Sequence, residues 1–387
     1  MTRDLRLVSL SLLLWGLGEG LFIYFQPLYL KELGASPLAI GGILGLTGVS
    51  LTLVHIPAGA LADHFGRKAM MTSSWVIGTL ACLLMYLAPS LSVFATGMIA
   101  YYVTAFVMAP MSSYITTARG AWPVARALTT ASAAYSAGVI LGPPLGGWLG
   151  DTIGLRAVYG IATVVFLVST VLVLFVHAQP TERADEAGRY RALLSNHALA
   201  KLLAAVFFSM LAMYLFWPLT PNFLQTQRGV SLTNIGLFGA FNGLGVVVLN
   251  LIFGRVAPTK GYVLAQILVG FSCLILWRGI GLPWYALGYF LAGAFRTARS
   301  LVTAMVDSMV ERAQVGLAFG LAETVISLMV VVAAPLAGLL YSMDPALPFP
   351  VSLGIAVLAV LLSLVLIPRR LPERHIAAVD LSRIGGE

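Results

Sequence analysis

Four ionisable side chains stand inside long apolar stretches of this chain: Glu19 in LLLWGLGEGLFIYFQPLYL, Arg296 and Arg299 in AGAFRTARSLV, and Glu323 in GLAETVISL. A charge in hydrocarbon costs roughly 2.5–3.5 kcal/mol on insertion scales, so residues kept there are functional candidates by default. A carboxylate taken out of water favours its neutral form, which makes Glu19 a candidate proton or cation site. A guanidinium can hold an anionic head group or neutralise a carboxylate. Arg296 and Arg299 are three residues apart and share a helix face. At a rise of about 1.5 Å per residue, Glu19 lies about 18 Å from one end of its run, Arg299 about 15 Å, Glu323 about 14 Å and Arg296 about 20 Å. All four therefore fall near the middle of a hydrocarbon layer about 30 Å thick.

The elements that must carry these residues are membrane helices. Hydrophobic residues make up 59% of the chain and charged residues 10%, against about a quarter charged in soluble domains. The apolar runs are continuous rather than alternating, which excludes a β-barrel and leaves helices as the way to satisfy backbone groups in lipid. The fold class expected is an all-α membrane protein with twelve spans, at 7–30, 37–62, 68–89, 92–117, 125–150, 155–178, 199–226, 232–256, 261–278, 282–309, 314–341 and 347–368. The first run is long and lacks a small-residue cleavage site, so no removed signal peptide is expected. With both termini in the cytoplasm, seventeen of the 23 Lys and Arg residues fall on the inner side, as the positive-inside rule requires. The net charge of +8 reports this topology, because the basic residues are scattered over short loops; nucleic-acid binding is not indicated. Cys82 and Cys273 lie in separate apolar runs, so neither a disulfide nor a metal site is expected.

The widest hydrophilic break, His177 to Lys201, divides the chain near its midpoint. The expected organisation is a six-helix bundle over 1–178, a cytoplasmic linker over 179–198, a second six-helix bundle over 199–368 and a cytoplasmic tail over 369–387. Weak internal similarity supports two halves. KELGASPLAIGG (Lys31–Gly42) matches QTQRGVSLTNIGL (Gln225–Leu237), with Ser36 on Ser231. LGPPLGGWLGD (Leu141–Asp151) matches VAAPLAGLLYS (Val332–Ser342), with Pro144 on Pro335 and Gly147 on Gly338. Tandem repeats around a midplane site are an architecture of secondary transporters.

GALADHFGRK joins the second and third spans on the inner side. It resembles the signature loop of the major facilitator superfamily at Gly59, Leu61, Asp63, Gly66, Arg67 and Lys68. The resemblance implies a gating role for Gly59, Asp63, Gly66, Arg67 and Lys68. The second-half counterpart GRVAPTKGY is degenerate, with Pro258 roughly where the aspartate would stand. GVILGPPLGG in the fifth span matches the family's antiporter-associated pattern at Gly138, Gly142, Pro143, Gly146 and Gly147. Gly138, Gly142 and Gly146 also form a stripe that permits close helix packing, with Gly239 and Gly243 of the eighth span as facing candidates. Both readings of these glycines stand. In proton-coupled relatives an arginine commonly occurs inside the fourth span; here Arg119 comes at or beyond its end.

In the family, the first, fourth, seventh and tenth spans line a central cavity. That puts Glu19 and the arginine pair on opposite halves of one cavity. Glu323, in the eleventh span, becomes the natural partner of Arg299 or Arg296. Arg299 with Glu323 is either a structural ion pair or part of the site; Arg296 is then available to an anionic solute or to Glu19. Glu19 has no acidic counterpart in the seventh span, where Met213 lies near the matching position. Cavity-lining candidates are Tyr24, Gln26, Tyr101, Tyr102, Tyr214, Trp217, Asn222 and Gln225. His55 is a softer titratable candidate; Asp307 and Glu311 are placed at the cytoplasmic interface.

The resemblance is strongest to the twelve-helix drug:proton antiporter branch. It implies alternating access and proton-coupled efflux of a small amphipathic or drug-like solute, by a monomer in a bacterial or archaeal inner membrane. The alternative is an uptake symporter or facilitator for an anionic solute or lipid held by Arg296 and Arg299. No cofactor and no metal is expected. An enzyme is not indicated, since no nucleophile–base cluster, metal spacing or phosphate loop is present; GLGEG at Gly16–Gly20 lies in a membrane run with no preceding strand.

Overall fold

A computed structural model describes residues 1–55, 65–179, 196–310 and 315–367. The helices are α1 (Arg3–Phe22), α2 (Gln26–Glu32), α3 (Pro37–His55), α4 (Arg67–Leu87), α5 (Leu91–Val103), α6 (Met108–Ala118), α7 (Val124–Ile153) and α8 (Leu155–Leu174). After residues 180–195 come α9 (His197–Tyr214), α10 (Thr220–Arg228), α11 (Leu232–Phe253), α12 (Pro258–Arg278), α13 (Leu282–Ala292), α14 (Ala294–Met309), α15 (Val315–Met343) and α16 (Pro348–Leu366). The architecture is that of an all-helical membrane protein. Among the described residues, ten helices are long and apolar enough to cross a bilayer. The pair Leu91–Val107 and Pro110–Ala118, bent by 42°, makes eleven if it is one span. The expected twelve is reached only if α13 and α14 also form one span.

Four expected spans are broken: the first between α1 and α2, the fourth at the 3-10 turn Thr104–Val107, the seventh between α9 and α10, and the tenth at Gly293. Proline accounts for three of these breaks. Its ring clashes with the carbonyl four residues back and it offers no N–H. Pro27, Pro110 and the pair Pro218 and Pro221 stand at or just after the three interruptions. At the fourth break the cause is packing. A Cβ on Gly293 would meet backbone of α11 at Val246, Gly245 and Asn242. The sequence expectation of continuous helices at 7–30, 92–117, 199–226 and 282–309 is corrected accordingly.

Glycine sets which helices approach closely. Gly138, Gly142 and Gly146 face α1, where added Cβ atoms would strike the carbonyl oxygens of Leu13, Leu17 and Leu21. The stripe therefore packs on α1, not on the eighth span as expected. Gly147, one position further round α7, meets Leu232 of α11. Gly239 and Gly243 do face α7, but against Pro143 and Ile140. A second seam joins α3 to α15, with Gly41 against the Ala334 carbonyl and Gly338 against that of Pro37. These two seams, α7–α11 and α3–α15, are the most extensive contacts between the N-terminal and C-terminal sets of helices, with a smaller one between α2 and α10. Within the N-terminal set, Trp15, Phe22, Tyr101, Tyr159 and Phe166 stack into one aromatic core. The Trp75 indole donates to the hydroxyls of Ser11 and Ser169 at 2.8 and 2.9 Å, which closes off its polar edge.

Candidate functional site

Glu19 lies on α1 three positions after Gly16 and one before Gly20, two points where α7 packs closely: Gly16 against the Tyr135 carbonyl and Gly20 against Gly142. This approach brings the Tyr135 side chain over the carboxylate, and its hydroxyl donates to Glu19 Oε2 at 2.9 Å. Glu19 is deep in the bundle yet partly accessible. The Arg296 guanidinium, from α14 in the other set of helices, is near enough to attract Glu19 directly and also faces Tyr24 and Tyr135. Arg296 is exposed although it lies inside the assembly of helices. The face of α14 opposite it, Thr297, Ala298, Leu301, Val302 and Met305, is buried.

The four ionisable residues divide into one ion pair and one longer-range attraction. Arg299 binds Glu323 in a two-point contact: Nε donates to Oε1 at 3.1 Å and Nη2 to Oε2. Such fork geometry is the strongest form of carboxylate recognition. Arg296 is left to Glu19. The side chains of Arg299 and Glu323 are 42% and 27% exposed, so the pair is worth less than a sealed one. Arg299→Ala or Glu323→Ala alone is expected to lower unfolding stability by roughly 1–3 kcal/mol, and the double variant to recover at least half of the loss. Thermal unfolding of the purified variants in detergent measures this; losses that simply add would show the two side chains to be uncoupled.

Around this centre the aromatic and amide candidates are distributed unevenly. Tyr24 donates to Asn242 Oδ1 at 3.0 Å, and Asn242 in turn donates to the Tyr289 carbonyl at 2.9 Å. Asn222 donates to the Pro27 carbonyl at 3.0 Å. The Tyr24–Asn242 and Asn222–Pro27 bonds join the two sets of helices. Tyr102 donates to Gln26 at 3.1 Å. Trp217 packs against Tyr24 and Tyr289, and Tyr214 against Phe295. Gln26 and Asn222 are buried, Tyr101 belongs to the aromatic core, and Gln225 stands half-buried towards the end of α10.

Tyr135, Asn242 and Tyr289 were missed in the sequence. The signal for Tyr135 was present: it stands three residues before Gly138, on the face of α7 that carries the stripe. Asn242, a lone amide in the apolar α11, was a weaker one. Of the proposed gate, Gly59 and Asp63 lie outside the described residues, as does the side chain of His55. Gly66 has φ 86°, a left-handed conformation that glycine adopts without strain. Arg67 donates to Thr117 at 2.9 Å and Gln179 at 3.3 Å, and Lys68 follows on α4.

A model of the Major Facilitator Superfamily matches residues 8–204 and again 202–379. The chain is 26% identical over 317 residues to "Multidrug resistance protein MdtG" of Enterobacter lignolyticus (strain SCF1), covering 76% of this chain and 74% of that protein. It is 29% identical over 161 residues to "Multidrug resistance protein 2" of Bacillus subtilis (strain 168), a match covering 41% of this chain and 40% of that one. Among solved structures, a point mutant of the nucleoside transporter NupG superposes with a TM-score of 0.80 at 13% identity, over 94% of this chain and 100% of the other.

Proposed function

The chain belongs to the major facilitator superfamily and is an integral membrane transporter of small solutes rather than an enzyme, and from that premise we propose that it works by alternating access as a proton-coupled exporter of an amphipathic, drug-like solute. The observation that carries this reading is Glu19, a membrane-depth carboxylate held by Tyr135 on its own side and attracted by Arg296 from the other. A group so placed can take up a proton only by changing how strongly the two sets of helices attract each other. Proton binding and rearrangement of the halves are then linked, as coupled transport requires. The aromatic side chains of Tyr24, Tyr214 and Trp217 supply flat apolar surface for a solute body. The multidrug relatives and the fifth-span pattern support export.

In this proposal residues 1–178 and 199–368 are the two moving bundles of a monomer, Asp63 and Arg67 serve the inner gate, and both termini face the cytoplasm of an inner membrane. The α7–α11 and α3–α15 seams then lie on the outer side, and the structure corresponds to an outward-closed arrangement.

A second reading is favoured by one observation, the accessible Arg296. A cation entering beside it is repelled, whereas an anion is attracted whenever Glu19 is protonated. Flux of a cationic and an anionic amphipathic dye in proteoliposomes, with and without an imposed pH gradient, separates the two. Export predicts uphill movement of the cationic or neutral dye with counterflow of protons, largely preserved in Arg296→Ala. Anion uptake predicts co-movement with protons and at least a tenfold loss in that variant. Absence of solute movement coupled to protons with either dye would remove both readings.

A further inference from the structure

The α7–α11 seam contains a contact that its counterpart lacks. Asp151, in the last turn of α7, reaches across to the first turn of α11. Its Oδ1 accepts from the Leu232 N–H at 3.2 Å, and its Oδ2 accepts from the Thr233 N–H at 2.8 Å and the Thr233 hydroxyl at 2.6 Å. The first N–H groups of a helix have no partner within it, and a carboxylate there is favoured by both hydrogen bonding and the helix dipole. The natural cap of α11 is its own Ser231, whose hydroxyl accepts from Asn234 N–H at 3.3 Å. The donors of this turn are thus divided. Ser231 serves Asn234, while Leu232 and Thr233 are served by a residue of the opposite half.

The repeat-related seam is built differently. Ser342, the position corresponding to Asp151, donates to Leu339 of its own helix at 2.7 Å. The helix it would face, α3, starts with Pro37, which has no N–H to offer, and Ser36 takes the Ala39 N–H at 3.2 Å. The latch is therefore one-sided. Because α11 keeps its own cap, removing Asp151 takes away an attachment between halves and leaves the helix start intact.

We propose that Asp151 is a positioning residue of the transport cycle: by capping a helix of the other half it holds the outer seam closed, and it releases Leu232 and Thr233 to water each time the seam opens. The proposal rests on the alternating-access reading above, but its test does not need a transported solute.

Spin labels on Lys31→Cys and Gln227→Cys, exposed on α2 and α10 of opposite halves, report the separation of the outer ends by pulsed electron paramagnetic resonance in nanodiscs. The native Cys82 and Cys273 are buried. Asp151→Ala is expected to raise the ratio of separated to closed ends by roughly 3- to 30-fold, the range set by loss of a helix cap. Asp151→Asn, which keeps an acceptor oxygen, restores most of the closed population. Thr233→Val, which removes one bond and leaves α7 untouched, shifts it in the same direction as Asp151→Ala but less. Ser231→Ala, which removes the cap within one half, leaves it unchanged. A distance distribution in folded Asp151→Ala and Thr233→Val that matches the parent overturns the latch. If no solute flux is found for the parent but these shifts occur, the latch stands and the transport reading fails.

Discussion

Glu19→Gln is expected to abolish uphill transport while leaving solute binding and passive exchange in place. The amide has the shape of the carboxyl group and still offers an oxygen to the Tyr135 hydroxyl, so the α1–α7 packing around it is retained. It cannot gain or lose a proton. Under an imposed pH gradient in proteoliposomes, accumulation is expected to fall at least tenfold, to the level of protein-free vesicles. Solute affinity is expected to change by less than about threefold, since the variant keeps the cavity's shape. The substitution also leaves Arg296 without its anion, and an unpaired charge in the interior is destabilising. Glu19→Gln combined with Arg296→Gln removes that complication: it should unfold at a higher temperature than the single variant and still fail to pump. Undiminished uphill transport by the single variant would show that Glu19 does not carry the coupling proton.

The second large effect comes from one methyl group. Gly236 of α11 lies against the Pro143 carbonyl of α7, so that even a Cβ atom would collide with backbone that has no rotamer to change. Gly236→Ala is expected to prop the seam apart and lower transport at least tenfold, because overpacking a rigid contact costs about 1–3 kcal/mol and here that cost falls on the closed arrangement. Gly270 on α12 is the control. Nothing lies within 4 Å of a Cβ built there, and Gly270→Ala should leave flux unchanged and raise helix stability by about 0.5–1 kcal/mol. Transport rates and thermal unfolding of the two variants side by side decide it. Equal flux in both would mean that the α7–α11 seam does not close during the cycle.

Much of the architecture could be read in the sequence because it depends on composition along the chain. Apolar run length, the scatter of basic residues and the internal similarity all speak to helices in a bilayer. The breaks were legible in part. Pro27, Pro110, Pro218 and Pro221 each interrupt a run, whereas the break at Gly293 follows from its packing on α11, which no local pattern shows. The pairing of charges was legible only as a choice. Arg296 and Arg299 share a face of α14, and Glu323 was a possible partner of either; which one it meets depends on how α15 is turned. The direction of the glycine stripe was misread for a similar reason. A stripe tells that a helix is approached closely, not by which neighbour, and Gly147, a single step beyond Gly146, serves the opposite helix.

The fit of that stripe on α1 has a consequence for how Glu19 would sense motion in the proposed cycle. Backbone touches backbone along three successive turns, so in the proposed cycle α1 and α7 would travel as one piece and Tyr135 would go wherever Glu19 goes. Of the carboxylate's neighbours, Tyr135 and Tyr101 belong to its own set of helices and Arg296 to the other. In the proposed cycle the distance to one guanidinium is what would change the carboxylate's hold on a proton. Opening of the outer ends and arrival of a solute are unrelated events in chemistry, yet under this proposal each would reach the proton through that same length.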